Sequence, residues 1–415
     1  MGLDISAYEP MLKKYYTPRN VDLITYKRFP TLRLLSKRTD WTGSTYEMPI
    51  WHESAQAVGH DFQDAKDGKD RGEYGVWSLT QSKIYGFAQL DRQVMKRSMG
   101  DKRAFMRAFT AEVDGVLQLL GREMAGKIFG TRAGIRSTIA AIGAGTGTND
   151  KITLANRQDV VHFSLGMALV ASSAGTAASL RNSGTPYYVV KIDRSKGEIY
   201  LSATRRGAAV NVVSDGSWDT GDSLHRYGDI TTSSDTLGIA GFAEWLPLTA
   251  PSSTPFFGVD RSVDRDKLAG MVVDGSGLTM EDALIESGMR AFEAGVDLTH
   301  FVVNPLRMGQ LIREAGSKLV RDEKTSARIG KSAFLVQTPA GEQSVYGDPF
   351  APVDRIYGLD IKSWELVSSG PIPEIFDDDL KMLRESDSDA YEVRMGGYGM
   401  LGCHVPGNNV VITLG

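Results

Sequence analysis

The run from Asp101 to Phe129 constrains this chain more than any other segment. Its apolar residues fall at Phe105, Phe109, Val113, Val116, Leu117, Leu120, Met124 and Ile128. Steps of three and four throughout predict a single amphipathic helix, roughly 40 Å long at about 1.5 Å per residue. Asp101 offers an N-cap and Gly130 a residue that tolerates a left-handed stop. An extended polar segment precedes this helix and a β-rich block follows it, with no active-site motif attached. That order of parts suits a chain built to touch neighbours rather than to do chemistry.

A chain of 415 residues has room for two or three domains and a sizeable core. Its 41% apolar and 24% charged residues are those of ordinary globular proteins. A net charge of −4 means that the chain as a whole is no counterion for DNA. Cys403 is the only cysteine, which excludes an intrachain disulfide and fits folding in a reducing cytoplasm. No apolar run approaches the roughly 18 residues of a membrane span. The N-terminal MGLDISAYEP lacks the apolar core of a signal peptide.

Charge is unevenly placed. Residues 1–38 carry eight basic side chains (Lys13, Lys14, Arg19, Lys27, Arg28, Arg33, Lys37, Arg38) against three acidic ones. Residues 52–75 reverse the balance, with Glu53, Asp61, Asp64, Asp67, Asp70 and Glu73 against Lys66, Lys69 and Arg71. The flanks of this acidic stretch, Thr45–Trp51 and Tyr74–Leu90, are strand-like, so the spacing predicts a long two-stranded loop with a mobile tip. A lone ribbon is marginal in water and needs a surface to lie on, for which a neighbouring subunit is one candidate.

Residues 139–150 read as a Gly-rich linker. Beyond it, Lys151–Pro255 predicts a small barrel or sandwich. Its candidate strands are Val160–Phe163, Met167–Ala171, Tyr187–Ile192, Glu198–Ser202, Ala209–Val213 and Ser223–Arg226. Pliable junctions at both ends mark it as an inserted domain, with Trp218 or Trp245 expected in its interior. From Phe256 the pattern becomes α+β. Thr279 begins a helix with Asp282 in the role of a capping-box acid; a strand follows at His300–Val303, and Asn304-Pro305 opens a second helix. The end, Tyr391–Leu414, is strand-like again.

The motifs that tempt toward chemistry fail in detail. Gly143, Gly145 and Gly147 imitate a dinucleotide fingerprint, but Thr148 stands where the third glycine belongs and strands follow. Gly330-Lys331-Ser332 lacks the earlier glycine of a phosphate loop, since Thr325 is there. The histidines at 52, 60, 162, 225, 300 and 404 show no metal-ligand spacing. Asp377-Asp378-Asp379 reads as a solvated acidic turn. Cys403 and His404 are strand neighbours pointing to opposite faces, so adjacency makes no thiolate–imidazole pair. No catalytic residue, cofactor site or metal site is expected.

The order of parts resembles the HK97-type major capsid protein of tailed phages. Stretches that carry the resemblance are Asp159–Val170, Gly241–Pro247, Phe256–Arg261, Val303–Pro305 and Tyr391–Cys403, in that order along nearly the whole chain. The resemblance implies an α+β fold of the HK97-like kind, with an inserted small β-barrel or β-sandwich. Its expected divisions are an N-terminal arm (1–40), an E-loop (41–90) and a P-domain with the spine helix (91–150). The inserted β-domain (151–255), an A-domain (256–385) and a C-terminal return to the P-domain (386–415) follow.

The resemblance further implies self-assembly into pentamers and hexamers of an icosahedral head around double-stranded DNA, held by non-specific interior contacts, with no enzymatic step. Expected partners are other copies of the chain, a portal protein, a possible decoration protein and, because the chain starts almost at the arm, a separate scaffolding protein. The expected location is the virion shell, assembled in the host cytoplasm, with no membrane partner. An encapsulin-like shell enclosing cargo protein is the alternative. The opposite charges of arm and loop make Lys13, Lys14, Arg19, Lys27, Arg28, Glu53, Asp61, Asp64, Asp67 and Asp70 the candidate inter-subunit contacts. The cross-linking Lys–Asn bonds of some relatives are not carried over, because nothing pairs Lys66, Lys69 or Lys83 with a particular Asn.

Overall fold

A computed structural model describes residues 29–53, 55, 57–69, 73–91, 102–145, 147, 150–234, 236–316, 320–329, 333–376, 383–384 and 390–415. The long helix spans Lys102–Phe129, 28 residues, as its periodicity requires. Val113, Leu117, Leu120, Met124 and Ile128 are buried along one face. That face lies on a six-stranded sheet whose central strand is Ala390–Cys403. Along one edge this strand pairs with Ser82–Asp91 from Ala390↔Asp91 to Gly399↔Ser82. Along the other it pairs with Trp364–Ser368 and two short strands at Glu374–Ile375 and Leu383–Arg384. Gly86 is what lets the helix approach. A Cβ there would lie 2.7 Å from Val116 Cγ1 and 3.0 Å from Leu120 Cδ1.

A second sheet has seven strands, ordered Met271–Asp274, Val410–Thr413, Arg355–Leu359, His300–Val303, Gly341–Gly347, Ala333–Thr338, Val320–Arg321. Helices Met280–Glu293 and Pro305–Ala315 supply apolar faces to its core. Both begin as their sequences dictate. The Thr279 hydroxyl accepts the Asp282 N–H at 3.1 Å, and Asn304 Oδ1 accepts the Leu306 N–H at 3.0 Å with Pro305 in the first turn.

Two expected divisions are corrected here. The terminal segment 386–415 does not return as one piece: Ala390–Cys403 joins the helix-backed sheet, while Val410–Thr413 inserts between two strands of the seven-stranded sheet. Trp364–Ser368, expected with 256–385, pairs with Ala390–Cys403 instead. Val410–Thr413 and Trp364–Ser368 are four and five residues long, and such short segments carry no signal of which sheet they will enter.

The expected arm boundary is corrected as well. Helix Pro30–Leu34 buries Pro30, Thr31, Leu32 and Leu34. Phe29, Leu32, Leu34 and Leu35 enter the largest core, and Ser36–Arg38 pairs in parallel with Glu365–Val367. Thr31 donates to the buried Asp348 carboxylate through its N–H at 3.1 Å and its hydroxyl at 2.6 Å. Residues 29–38 therefore belong to the body.

The β-block closes as a six-stranded barrel, in the order Ser223–Arg226, Ile135–Gly143, Lys151–Leu154, Glu198–Ser202, Tyr187–Asp193, Ala168–Ser172. It starts at Ile135, not at residue 151. The stretch read as a linker is a strand and its turn: Asp150 accepts the Gly145 and Gly147 N–H groups at 2.6 and 2.8 Å, tying the turn shut. A Cβ on Gly145 would lie 2.3 Å from the Tyr200 ring, so glycine there is a packing requirement rather than a hinge.

Within the barrel segment, 160–162 lies in a 3-10 turn, Arg157–His162, which Phe163 ends, and 212–216 is a helix capped by Asn211 rather than a strand. Trp218 is buried in the barrel, edge-on to Tyr187 with centroids 5.4 Å apart. Trp245 is not in the barrel. It sits in the main core between Trp77 and Phe256, at 5.2 and 5.0 Å, and donates its indole N–H to Leu401 O.

Candidate assembly surface

The hairpin Thr45–Glu53 with Glu73–Thr80 is in register from Thr45↔Thr80 to Trp51↔Tyr74. Strand alternation sorts its side chains. Met48, Ile50, Trp77 and Leu79 face the chain's own core, so the base of the ribbon needs no neighbour to lie on. Ser78 N–H donates to Phe257 O at 2.8 Å and fixes that base. The predicted second flank, 74–90, is broken at Gln81: its first half pairs in the hairpin and its second half turns into the helix-backed sheet.

Outward and toward the tip the polarity inverts. Trp51 is 62% exposed, Tyr74 74%, Phe62 82% and Val58 94%. Trp51 and Tyr74 stack with centroids 6.5 Å apart. On the adjacent sheet face, turned away from the long helix, Tyr85 and Phe87 are also exposed.

The tip is not a bare turn. It holds a helix, Phe62–Asp67, whose N-cap Asp61 accepts the Gln63 and Asp64 N–H groups at 2.8 and 3.3 Å. Asp67 accepts from Gln63 Nε2 at 2.8 Å, and Asp64 stands in the first turn. Asp61, Asp64 and Asp67 are all exposed. Glu53 is engaged within its own chain, taking Lys267 Nζ at 2.8 Å while the same ammonium reaches His52 O at 3.1 Å. This latch spans a groove of about 480 Å³ between the ribbon and the body. Lys13, Lys14, Arg19, Lys27, Arg28 and Asp70 lie outside the described residues, as do Gly330-Lys331-Ser332 and Asp377-Asp378-Asp379.

Sequence reading missed the joint between barrel and long helix. Glu123 and Lys127 on the helix meet Arg136, Arg226 and Asp229 on the barrel. Lys127 Nζ is 2.7 Å from Asp229 Oδ1, Arg226 is 2.8 Å from Glu123, and Arg136 bonds both Glu123 and Asp229. Arg122 adds hydrogen bonds to Phe163 O at 3.0 Å and Ser164 Oγ at 2.8 Å, and also to Val161 O. Burial alone would raise the Glu123 carboxyl, but Arg136 and Arg226 outweigh it and hold it below its ordinary value. Asp229 is held low in the same way by Lys127 and Arg136. The signal was available in part: Glu123 and Lys127 are four apart and share a helix face.

Burial pushes the Cys403 thiol well above its ordinary range, which makes it a poor nucleophile. Among the described residues no cluster of three His, Cys, Asp or Glu side chains is placed to hold a metal ion. No helix among them is long and apolar enough to cross a membrane.

No protein-family model and no curated protein matches the chain. Solved structures do. A subunit of the cyanophage A-1(L) capsid asymmetric unit superposes with a TM-score of 0.53 at 11% identity, covering 94% of this chain and 93% of that one. A Mycobacterium phage Che8 chain gives 0.36 at 12% identity over 92% and 90% of the two chains. The holo-SrpI encapsulin complex of Synechococcus elongatus gives 0.40 at 8% over 100% and 96%. The cyanophage match spans helix-backed sheet and seven-stranded sheet together, and the fold of this chain is therefore a capsid fold of the HK97-like kind.

Proposed function

We propose that this chain is a major capsid protein that assembles into the pentamers and hexamers of an icosahedral phage head enclosing double-stranded DNA. The observation that carries the reading is the projecting hairpin. Its base is locked into the subunit's own core, while its distal aromatic side chains are left in water. Covering such side chains with another molecule is favourable, and copies of the same chain supply identical surfaces in a closed lattice. The fold shared with a cyanophage capsid subunit supports the same conclusion.

The body divides accordingly. The helix-backed sheet takes the part of the peripheral domain, the seven-stranded sheet that of the axial domain, the hairpin that of the E-loop, and the barrel that of an inserted domain. Residues 1–28 would supply the arm. A scaffolding protein, a portal protein, a possible decoration protein and packaged DNA are the partners that this reading entails. The virion is its location, after assembly in the host cytoplasm. No reaction is proposed.

Electron microscopy of the purified chain tests the proposal. Closed shells, or sheets and tubes on the same lattice, are expected. A chain that stays monomeric at every concentration and ionic strength would overturn it. Shells that enclose protein rather than nucleic acid when isolated from their natural source would move the reading to an encapsulin-like compartment.

A further inference from the structure

The barrel has an apolar core of its own, built from residues between Ile139 and Leu224, and among the described residues no side chain of the long helix or the body enters it. The barrel is held to the helix instead by charge, through Glu123, Lys127, Arg136, Arg226 and Asp229. Its chain connections are sharply divided. Arg132 belongs to the body: its N–H and Nε–H both donate to the Glu244 carboxylate at 2.7 Å. Ala133, the next residue, belongs to the barrel, where its carbonyl accepts from His225 Nδ1 at 2.8 Å. The two residues form the middle of a tight turn closed by Gly134 N–H to Thr131 O at 2.9 Å. On the way out, Asp229 still lies in the charged joint. Leu237 O already takes the Ser82 hydroxyl at 2.8 Å, and Gly238 N–H reaches Arg132 O at 3.0 Å. Entry and exit therefore run side by side at the body's edge, which is hinge geometry.

The barrel turn Arg157–His162 is pressed between helix and body at this joint. A Cβ on Gly126 of the helix would lie 3.2 Å from His162 Nδ1, and the His162 ring meets Phe350 of the body with centroids 5.5 Å apart. Charged and titratable groups face this turn from every side. The helix brings Arg122, Glu123 and Lys127, and the first barrel strand brings Arg136. Arg194 reaches Val160 O at 3.3 Å, while His225, Arg226 and Asp229 come from the last strand and its turn. Asp159 lies on the turn itself, with Asp354 of the body nearby. Burial, then Arg136, lowers the docked His162 imidazole to about 3, whereas in water it would return toward about 6.5. Glu123 and Asp229 are held below their ordinary values by their cationic partners, which outweigh burial. All three groups bind protons more readily once barrel and helix part, so parting becomes easier as pH falls. Asp159, raised by burial to about 6, opposes this between about pH 6 and 4 and adds nothing further below. We propose that the barrel is a releasable module: in acid the charged joint opens and the intact barrel swings away from the long helix, about the paired connections at Arg132-Ala133 and after Asp229, while the body keeps its fold. The inference does not depend on how copies of the chain assemble.

Amide hydrogen exchange on the dilute full chain tests the release, with rates corrected for the intrinsic effect of pH. Peptides holding Gly134 and Gly238, whose N–H groups close the hinge, should exchange about ten-fold faster below about pH 4 than at neutral pH. Strands Tyr187–Asp193 and Glu198–Ser202 in the barrel, and Trp364–Ser368 in the body, should keep their protection over the same range. His162→Gln removes one titrating group and should move the loss about one pH unit lower. Asp159→Asn removes the opposing group and should move it higher. Hinge protection that survives to about pH 3 would overturn the proposal. So would barrel strands that lose protection together with the hinge, since that is unfolding rather than release. Identical pH profiles in the parent and both variants would overturn it as well. None of these readings requires a shell to form.

Discussion

Lys127 and Asp229 face each other at 2.7 Å across the seam between the long helix and the barrel, both nearly out of contact with water. They are the centre of a set in which every buried charge has an opposite partner. Such sets are costly to break from one side, because the group left behind stays buried. Asp229→Ala strands Lys127 and half of Arg136, and a loss of about 3–5 kcal/mol in chemical denaturation is expected. Lys127→Met should cost less, since Asp229 keeps Arg136 at 3.2 Å. Glu123 and Asp229 have folded pKa values held below their ordinary ones. Their contribution is therefore present above the unfolded carboxylate pKa of about 4 and is lost as pH falls through the folded values. Equal losses in the two variants would mean that the seam is not a coupled set.

A second pH effect comes from His162 and Asp159, which sit on the same barrel turn and work against each other. Burial, then Arg136, lowers the His162 imidazole to about 3. Burial raises the Asp159 carboxyl to about 6, although Ser137 donates to it at 2.7 Å. Between roughly pH 6.5 and 3 the unfolded histidine binds a proton that the folded one refuses, so stability falls as pH falls. Between about pH 6 and 4 the folded aspartate binds a proton that the unfolded one refuses, so stability rises as pH falls. The two slopes oppose each other in the shared window. In Asp159→Asn only the histidine remains, and stability should drop by up to about 1.4 kcal/mol per pH unit below pH 6. A variant whose pH profile matches the parent between pH 4 and 6 would contradict this assignment.

The helix–sheet contact gives a sharper test of folding. Leu120 is buried against the Gly86 backbone. Leu120→Asp places an unpaired carboxylate there, a cost of several kcal/mol against a typical total of about 5–15. Recovery of a native, soluble subunit would show that this face is not core. Gly86→Ala should be milder, about 1–3 kcal/mol, because the methyl must push Val116 and Leu120 aside.

These contacts also show what the sequence could and could not disclose. The helix at Lys102–Phe129, the caps at Thr279 and Asn304, and the existence of a two-stranded ribbon beginning at Thr45 followed from periodicity and from capping chemistry, which are local. Gly86 and Gly145 could be recognised as glycines but not as the points where a helix and a tyrosine ring come close, because the partners are distant in sequence. The second half of the strand Ile135–Gly143 was read as linker because Ala140, Ala141 and Gly143 dilute the strand preference of Ile139 and Ile142, and because Gly145 and Gly147 follow; barrel closure overrides that dilution. Of the two tryptophans offered for the barrel interior, Trp218 is the one found there and Trp245 lies in the main core, because an aromatic residue announces burial but not an address. Glu53 and Asp61 carried the expected charge, yet one is latched to Lys267 and the other caps a helix, uses that charge patterning cannot separate from contact with a neighbour.

The start of the body can be found by truncation. Removing residues 1–28 should leave a folded subunit. Removing 1–38 should not, since it deletes Leu32, Leu34 and Leu35 from the main core and leaves Asp348 without its Thr31 donors. The comparison is read most directly from the tryptophan environment, because Trp77, Trp245 and Trp364 share that core. A cooperative melt in the longer deletion, near the parent temperature, would place the body's edge further along the chain.

The barrel allows the most discriminating comparison, because two plausible boundaries predict opposite outcomes. Residues 131–234 contain all six strands and keep Arg136 beside Asp229. Residues 151–255 lack Ile135–Gly143, which lies between Ser223–Arg226 and Lys151–Leu154. Without it those two strands face water along unpaired edges, and Ile139 no longer covers the core that holds Trp218. An open sheet with exposed edges tends to associate rather than fold. The first segment should therefore give dispersed amide resonances and a cooperative melt, and the second should aggregate or stay unfolded. If 151–255 folds as well as 131–234, the strand from Ile135 is dispensable and the barrel is not closed by it.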